Sequence, residues 1–438
     1  MAKRLTYYIL AGLVLGIAVG WILNVSIKDG TPEAQARLTE IAGYFSIVSA
    51  LFLRLIKMII APLVFSTLVA GIAHMGDTAA LGRVGAKAIG WFLGASLISL
   101  SLGLILVNVI QPGVGLDFPI PPADAASGVS REAFNLKDFI THLVPASMIE
   151  AMAKNEILQI VVMSIFVGVA MLAIGEPARP LLRAVEALVK VMLQITDYVM
   201  RFAPFAVFAA VAAALTERGV GIMVTYVNFM GSFYIGLVVL WIVLFTACFL
   251  VVGKRTGLLF RYIREPILLA FSTASSEAAY PRTLEALDRF GVPPRIASFV
   301  LPLGYSFNLD GSMMYMTFAT IFIAQAYGID LSWAQMITML LVLMITSKGV
   351  AGVPRASLVV IAATLSLFNI PEAGLLLIIA VDHFLDMGRS ATNVVGNAVA
   401  SAVVAKWEGT LDPMEPPEIE PPHAPAHVPA PRPGDEPF

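Results

Sequence analysis

Eight apolar runs, each long enough to carry a helix across roughly 30 Å of hydrocarbon at ~1.5 Å per residue, set the class of fold ahead of any motif. They lie near residues 6–24, 43–74, 87–110, 156–175, 183–215, 224–253, 295–324 and 372–405. Of the 438 residues, 58% are hydrophobic and 13% charged, where an ordinary soluble domain is about 25% charged. The expected fold is therefore an all-α polytopic membrane protein. A net charge of -2 offers no basic face to nucleic acid. The single Cys248 allows no internal disulfide, and no Cys/His cluster has the spacing of a zinc site. Lys3 and Arg4 lead into a run too long for a cleaved leader, which ends at Trp21 without a small-residue cleavage site, so it reads as the first span.

Basic connections orient the spans. Lys3 and Arg4, Arg83 and Lys87, and the group Lys254, Arg255, Arg261 and Arg264 belong on the cytoplasmic side. The acidic segments around Asp29 to Glu40 and Asp117 to Asp124 belong outside. Both termini are then cytoplasmic, and the location expected is the inner (plasma) membrane. Residues 410–438 form the tail; from Pro413 onward it holds ten prolines and several acidic residues, too little apolar surface to fold.

Two segments are too broken to cross. Residues 258–291 and 333–368 each contain an apolar run, a break of small residues with a proline, and a second apolar run. The first break includes Ser275, Ser276, Glu277 and Pro281, and the second runs through Lys348, Gly349, Gly352, Val353, Pro354 and Arg355. Non-helical backbone at membrane depth survives only where protein or a wet cavity satisfies it. The economical reading is a pair of re-entrant hairpins, whose half-helix N-termini suit an anionic group. A third interruption, Gly304 to Ser312, exposes carbonyls suited to a small cation. After these comes an apolar stretch, Leu375 to Val404, carrying Asp382, Asp386, Arg389, Ser390, Asn393 and Asn397. At roughly 100° per residue these six fall within an arc of about 100°. Ionisable groups at this depth cost on the order of 2.5–3.5 kcal/mol each, so they face a cavity, a partner or a charged ligand rather than lipid.

At these residues the chain resembles the dicarboxylate/amino acid:cation symporter family, which includes the glutamate transporters, over about residues 5–409. The motifs are the serine-rich first hairpin tip, Asn-Leu-Asp-Gly-Ser at 308–312 (commonly Asn-Met-Asp-Gly-Thr), Ala-Gly-Val-Pro at 351–354, and Asp386-Met-Gly-Arg-Ser-Ala-Thr-Asn393. The resemblance implies eight transmembrane helices plus two re-entrant hairpins, assembled as a homotrimer that works as an elevator. Residues 1–75 and 115–219 would form a static scaffold, and 76–114 and 220–409 a mobile transport domain.

The resemblance also implies roles. Arg389 would clamp the distal carboxylate of the substrate through parallel guanidinium donors, and Asp386, assisted by Ser390, would take its ammonium. Asn393 with Ser275 and Ser276 would hold the α-carboxylate, Ser312 would touch the distal one, and Val353 would close over the ligand. Arginine and aspartate together select an acidic amino acid, glutamate or aspartate; a C4-dicarboxylate is the competing substrate. Ion coupling departs from the sodium-coupled pattern. Asn397 stands where such relatives have an aspartate, and Phe92 and Ala95 where they have a tyrosine and a threonine, although Ser96, Ser306, Asn308 and Asp310 remain. The chain looks most like the proton-coupled glutamate branch, with a residual sodium site still open. Glu277 is the first candidate proton carrier, followed by Asp310, Asp382 and Asp386. Arg355 replaces the family's usual glycine, and it is expected to gate with Gly352 and Pro354, pairing with Asp382 or Asp386 when the site is empty.

Structural alternatives stand beside these roles. Asp386 and Arg389 also suit a buried ion pair, and Asp310 also suits a cap on broken backbone. Arg54 and Lys57 read as interfacial anchors or as interior partners of Glu150 or Asp197. Met313, Met314 and Met316 read mostly as packing, and His142 and His383 as minor. A membrane-embedded hydrolase or a channel fits poorly: Asp382 and Asp386 share one helix with an arginine, and no charged rings mark a pore.

Overall fold

The first two long helices, α1 (Ala2–Ile27) and α2 (Pro32–Ala73), cross the length that their apolar runs require. The structure is a computed structural model that describes residues 2–28, 31–73, 78–115, 120–122, 137, 140–141, 143–219, 226–347, 356–379 and 381–411. His142, the break at 348–355 and the tail beyond 411 lie outside these residues. The remaining described helices are α3 (Thr78–Ile110), α4 (Met148–Ala153), α5 (Ile157–Ile174), α6 (Arg179–Met200), α7 (Ala203–Arg218), α8 (Val227–Val252), α9 (Thr256–Thr273), α10 (Tyr280–Phe290), α11 (Pro294–Phe307), α12 (Asp310–Ala326), α13 (Trp333–Thr346), α14 (Ala356–Leu367), α15 (Leu375–Ile379) and α16 (Asp382–Trp407).

Among the described residues, five stretches are long and apolar enough to cross a membrane, and α6 with α7 makes a sixth, bent by 51°. The expected fifth span is thus this bent pair. The expected seventh and eighth are also interrupted: α11 gives way to α12 at Asn308 and Leu309, and the last run splits between Ile379 and Asp382. A split exposes backbone groups that need partners. Arg218, at the end of α7, donates to the carbonyl of Ile379 at 3.2 Å.

Two packing groups emerge. Helices α1, α2, α5, α6 and α7 pack on one another, whereas α3 and α8 to α14 gather around α12 and α16. Within the first group, Gly12, Gly16 and Gly20 recur every fourth residue on α1 and bring it directly onto the backbone of α7. A Cβ at Gly16 would sit 2.7 Å from the carbonyl oxygen of Phe208, and one at Gly20 would sit 2.8 Å from that of Ala212. Small residues at this spacing are what helices in lipid use to approach closely.

In the second group, α9 and α10 pack side by side as a hairpin. Its tip is built from local rules. Helix α9 ends on Ala274, held in the left-handed region at φ 48. The Ser275 hydroxyl then accepts the Ala278 amide at 3.2 Å, and Pro281 sits in the first turn of α10, where no amide is needed. Helix α13 starts on a capping box between Ser332 and Gln335. Replacing Gly16 by Leu should force α1 off α7 and cost about 1–3 kcal/mol, read as a lower thermal unfolding midpoint; an unchanged midpoint would contradict this packing.

Candidate functional site

Helix α16 is the spine of the site, because its polar seam faces the break between α11 and α12. Arg389 is 2% exposed. Its Nη2 lies 3.0 Å from Asp382 Oδ1 and 3.0 Å from Asp386 Oδ1. Its guanidinium carbon stands 4.1 Å above the Tyr315 ring on α12, and the Tyr315 hydroxyl donates to Asp382 Oδ1 at 3.3 Å. Desolvating a guanidinium costs several kcal/mol. Two carboxylates and a cation–π contact of about 2 kcal/mol in a dry site offset that cost. The two acids differ, since the Asp382 side chain is 4% exposed and that of Asp386 35%. Asp382 therefore fixes the arginine, while Asp386 remains reachable.

The balance of this trio is chemically specific. Two carboxylates against one guanidinium leave one negative charge, and among the described residues Arg389 Nε and Nη1 have no hydrogen-bond partner. The cluster can thus offer donors to a carboxylate and a carboxylate to an ammonium from one helix turn.

Asn393, one turn on, has a structural task the sequence did not reveal. Its Oδ1 accepts the amides of Gly311 at 2.9 Å and Ser312 at 3.4 Å, and its Nδ2 donates to Ser312 Oγ at 3.3 Å. It thereby caps the N-terminus of α12. Ser390 is buried beside Arg389. Ser275 and Ser276 occupy the tip of the first hairpin, and Ser275 is engaged in the turn described above.

A second polar cluster lies further along α16. Ser99 Oγ and Asn308 Nδ2 both donate to Asp310, each at 3.1 Å, and Asn308 Nδ2 also reaches Asn397 Oδ1 at 3.2 Å. Ser96 donates to the Phe307 carbonyl at 3.3 Å. Gly396 makes room for the Asp310 carboxylate, which stands where its Cβ would be. Among the described residues, Ser306 Oγ, Asn308 Oδ1 and Asn397 Nδ2 are buried without partners. Neutral oxygens around one carboxylate suit a proton or a hard monovalent cation.

Glu277 begins the 3-10 turn of the hairpin tip and borders a small space walled by Ile60, Val64, Tyr280 and Tyr305. Lys57 is the cation whose field reaches it. The interior pairs expected for Arg54 and Lys57 are not the ones formed. Asp197 holds Arg282 at 2.8 Å, and Glu150 holds Lys154 at 2.7 Å. The first pair links α6 to the hairpin, where the arginine is nearer. His383 lines a separate cavity of about 240 Å³ with Glu217, Arg218 and Thr273, away from the arginine cluster. Gly352, Val353, Pro354 and Arg355 lie outside the described residues.

Tyr315 and Ser99 were missed in the sequence. Tyr315 follows Ser312 by three residues and so shares its helix face, which was the available signal. Two ties from α8 also position α16: Tyr234 donates to the Phe384 carbonyl at 2.6 Å, and Trp241 to Thr392 Oγ1 at 2.8 Å.

Residues 5–407 match the Sodium:dicarboxylate symporter family. A proton/glutamate-aspartate symporter of Escherichia coli (strain K12) is 41% identical over 422 residues, spanning 93% of this chain and 94% of its own. A proton/sodium-glutamate symport protein of Geobacillus stearothermophilus is 38% identical over 410 residues, spanning 92% and 94%. A C4-dicarboxylate transport protein of Rhizobium johnstonii is 40% identical over 366 residues, spanning 82% of each.

Because Asp382 is buried on Arg389, Asp382→Asn should cost about 3–5 kcal/mol. Asp386→Asn, where the side chain is 35% exposed, should cost about 1 kcal/mol or less. Thermal unfolding of both variants without substrate checks this, and equal losses would contradict the division of labour between the two acids.

Proposed function

The chain belongs to the Sodium:dicarboxylate symporter family, a family of transporters and not of enzymes, and we propose that within it this protein takes up L-glutamate or L-aspartate together with protons. It is a multi-pass, cation-coupled symporter; substrate and ion are the proposal. One observation carries the substrate. Arg389 keeps Nε and Nη1 for a carboxylate while Asp386, one turn away, keeps an accessible carboxylate for an ammonium. A molecule with both groups and a second carboxylate matches that pair. Ser275, Ser276, Ser312, Ser390 and Asn393 are assigned to the pocket, and Gly352, Val353, Pro354 and Arg355 keep in this proposal the closing and gating roles that the family resemblance implies.

For the ion, Arg389 holds Asp382 and Asp386, which leaves Glu277 and Asp310 as the proton carriers of choice. Glu277 leads because a hairpin tip changes surroundings when the gate moves. Asn397 in place of an aspartate weakens an oxygen cage for sodium. The two packing groups are assigned as scaffold and moving domain of an elevator, in a homotrimer with both termini cytoplasmic, in the plasma membrane.

A C4-dicarboxylate symporter is the second reading, favoured by the relative from Rhizobium johnstonii, whose name is that of a C4-dicarboxylate transport protein. A sodium-coupled one is the third, favoured by the oxygens of Ser306 and Asn308 beside Asp310. Proteoliposomes separate them. Uptake of L-glutamate should follow an imposed pH gradient without sodium, and excess L-aspartate should compete better than succinate. Uptake driven only by a sodium gradient, or better competition by succinate, would overturn the proposal. In the same assay Glu277→Gln should flatten the pH dependence of uptake; an unchanged profile would remove Glu277 as the carrier.

A further inference from the structure

One cavity among the described residues lies apart from the polar site. It measures about 820 Å³ and lies between α1, α8, α9 and α16, with Tyr7, Trp241, Phe260 and Phe271 among its walls. From α16 it is bordered by Gly388, Ala391 and Thr392. At roughly 100° per residue these positions lie about 90–170° round the helix from the centre of the seam of Asp382, Asp386, Arg389 and Asn393, on a different face. A substrate held by Arg389 therefore does not occupy this groove.

Its chemistry is two-part. The walls are mostly aliphatic and aromatic, and one end carries Arg261 and Arg264, both exposed and one turn apart on α9. Lys254 precedes them in the 3-10 turn that leads into α9. The acid beside them, Glu265, turns to Arg282 at 4.0 Å. These cations sit where the positive-inside pattern places the cytoplasmic headgroup layer, and the groove runs from them into the apolar depth of the helices. Tyr7 at 71% and Val238 at 60% exposure mark its membrane-facing rim. The volume falls in the range of ligand pockets, about 300–1,000 Å³.

We propose that this groove is a binding site for an anionic phospholipid, its phosphate on Arg261 and Arg264 and an acyl chain laid between α1, α8 and α9. Guanidinium groups pair with phosphate through parallel donors, and basic pockets between membrane helices at the cytoplasmic side hold acidic headgroups. A chain in the groove packs on Phe260, Phe271 and Trp241, walls that a phosphate bound alone would not need. A zwitterionic lipid with the same chains fits the walls but not the net positive end.

The test is lipid retention. Protein solubilised in detergent with equal dioleoylphosphatidylglycerol and dioleoylphosphatidylcholine, then freed of excess lipid, should retain the phosphatidylglycerol in several-fold excess over the phosphatidylcholine. Arg261→Gln with Arg264→Gln should abolish that preference. Val238→Trp, which narrows the groove and leaves the charges alone, should lower the amount retained at least severalfold. Unchanged substrate affinity in each variant verifies that the fold and the polar site are intact. A preference that survives the double substitution overturns the proposal. So does full retention in Val238→Trp, which would place the lipid at the surface charges, and so does displacement of the lipid by inorganic phosphate.

Discussion

A buried guanidinium shared by two carboxylates of unequal exposure organises this protein. Arg389 sits at a depth where an unpaired charge would not be tolerated, so Asp382, Asp386 and the Tyr315 ring must be brought to it from two helices. That requirement explains why α12 starts where it does. Its first amides are capped by Asn393 from α16, and its first carboxylate, Asp310, reaches Asn308 and Ser99 across a gap that Gly396 leaves open. The break between α11 and α12 and the seam on α16 are thus two halves of one construction.

The same construction separates the site's electrostatics into two compartments. Around Arg389 the charges are paired and oriented, with one negative charge in excess and the N–H groups of Nε and Nη1 buried without a partner among the described residues. Around Asp310 the partners are neutral amides, hydroxyls and carbonyls. A ligand bearing both signs matches the first compartment and a small cation or proton the second, and α16 runs through both. Binding at one therefore bears on the packing of the other, the structural basis expected of coupling in a symporter.

Much of this is legible in the amino-acid sequence. The helical spacing of Asp382, Asp386, Arg389, Asn393 and Asn397 on an apolar run identifies the spine, and the small-residue breaks identify the first hairpin and the interrupted helix α11–α12. What stays hidden depends on contacts between distant segments. The preference of Arg389 for Asp382 comes from burial, and the capping role of Asn393 from the amides of Gly311 and Ser312, neither of which spacing encodes. Arg282 takes Asp197 because packing of the hairpin on α6 brings it close. The split between Ile379 and Asp382 carries no proline or glycine at the break, so the run reads as continuous. The glycine repeat at 12, 16 and 20 becomes readable as a close-packing motif once its partner helix is known.

The central claim is that Arg389 and Asp386 read opposite charges of one zwitterionic dicarboxylate. Calorimetric titration of L-aspartate and of succinate into the purified protein and into Asp386→Asn tests it directly. The account requires aspartate affinity to fall by more than tenfold, above about 1.4 kcal/mol, while succinate binding holds or strengthens. Equal losses for both ligands, or none for aspartate, would contradict it.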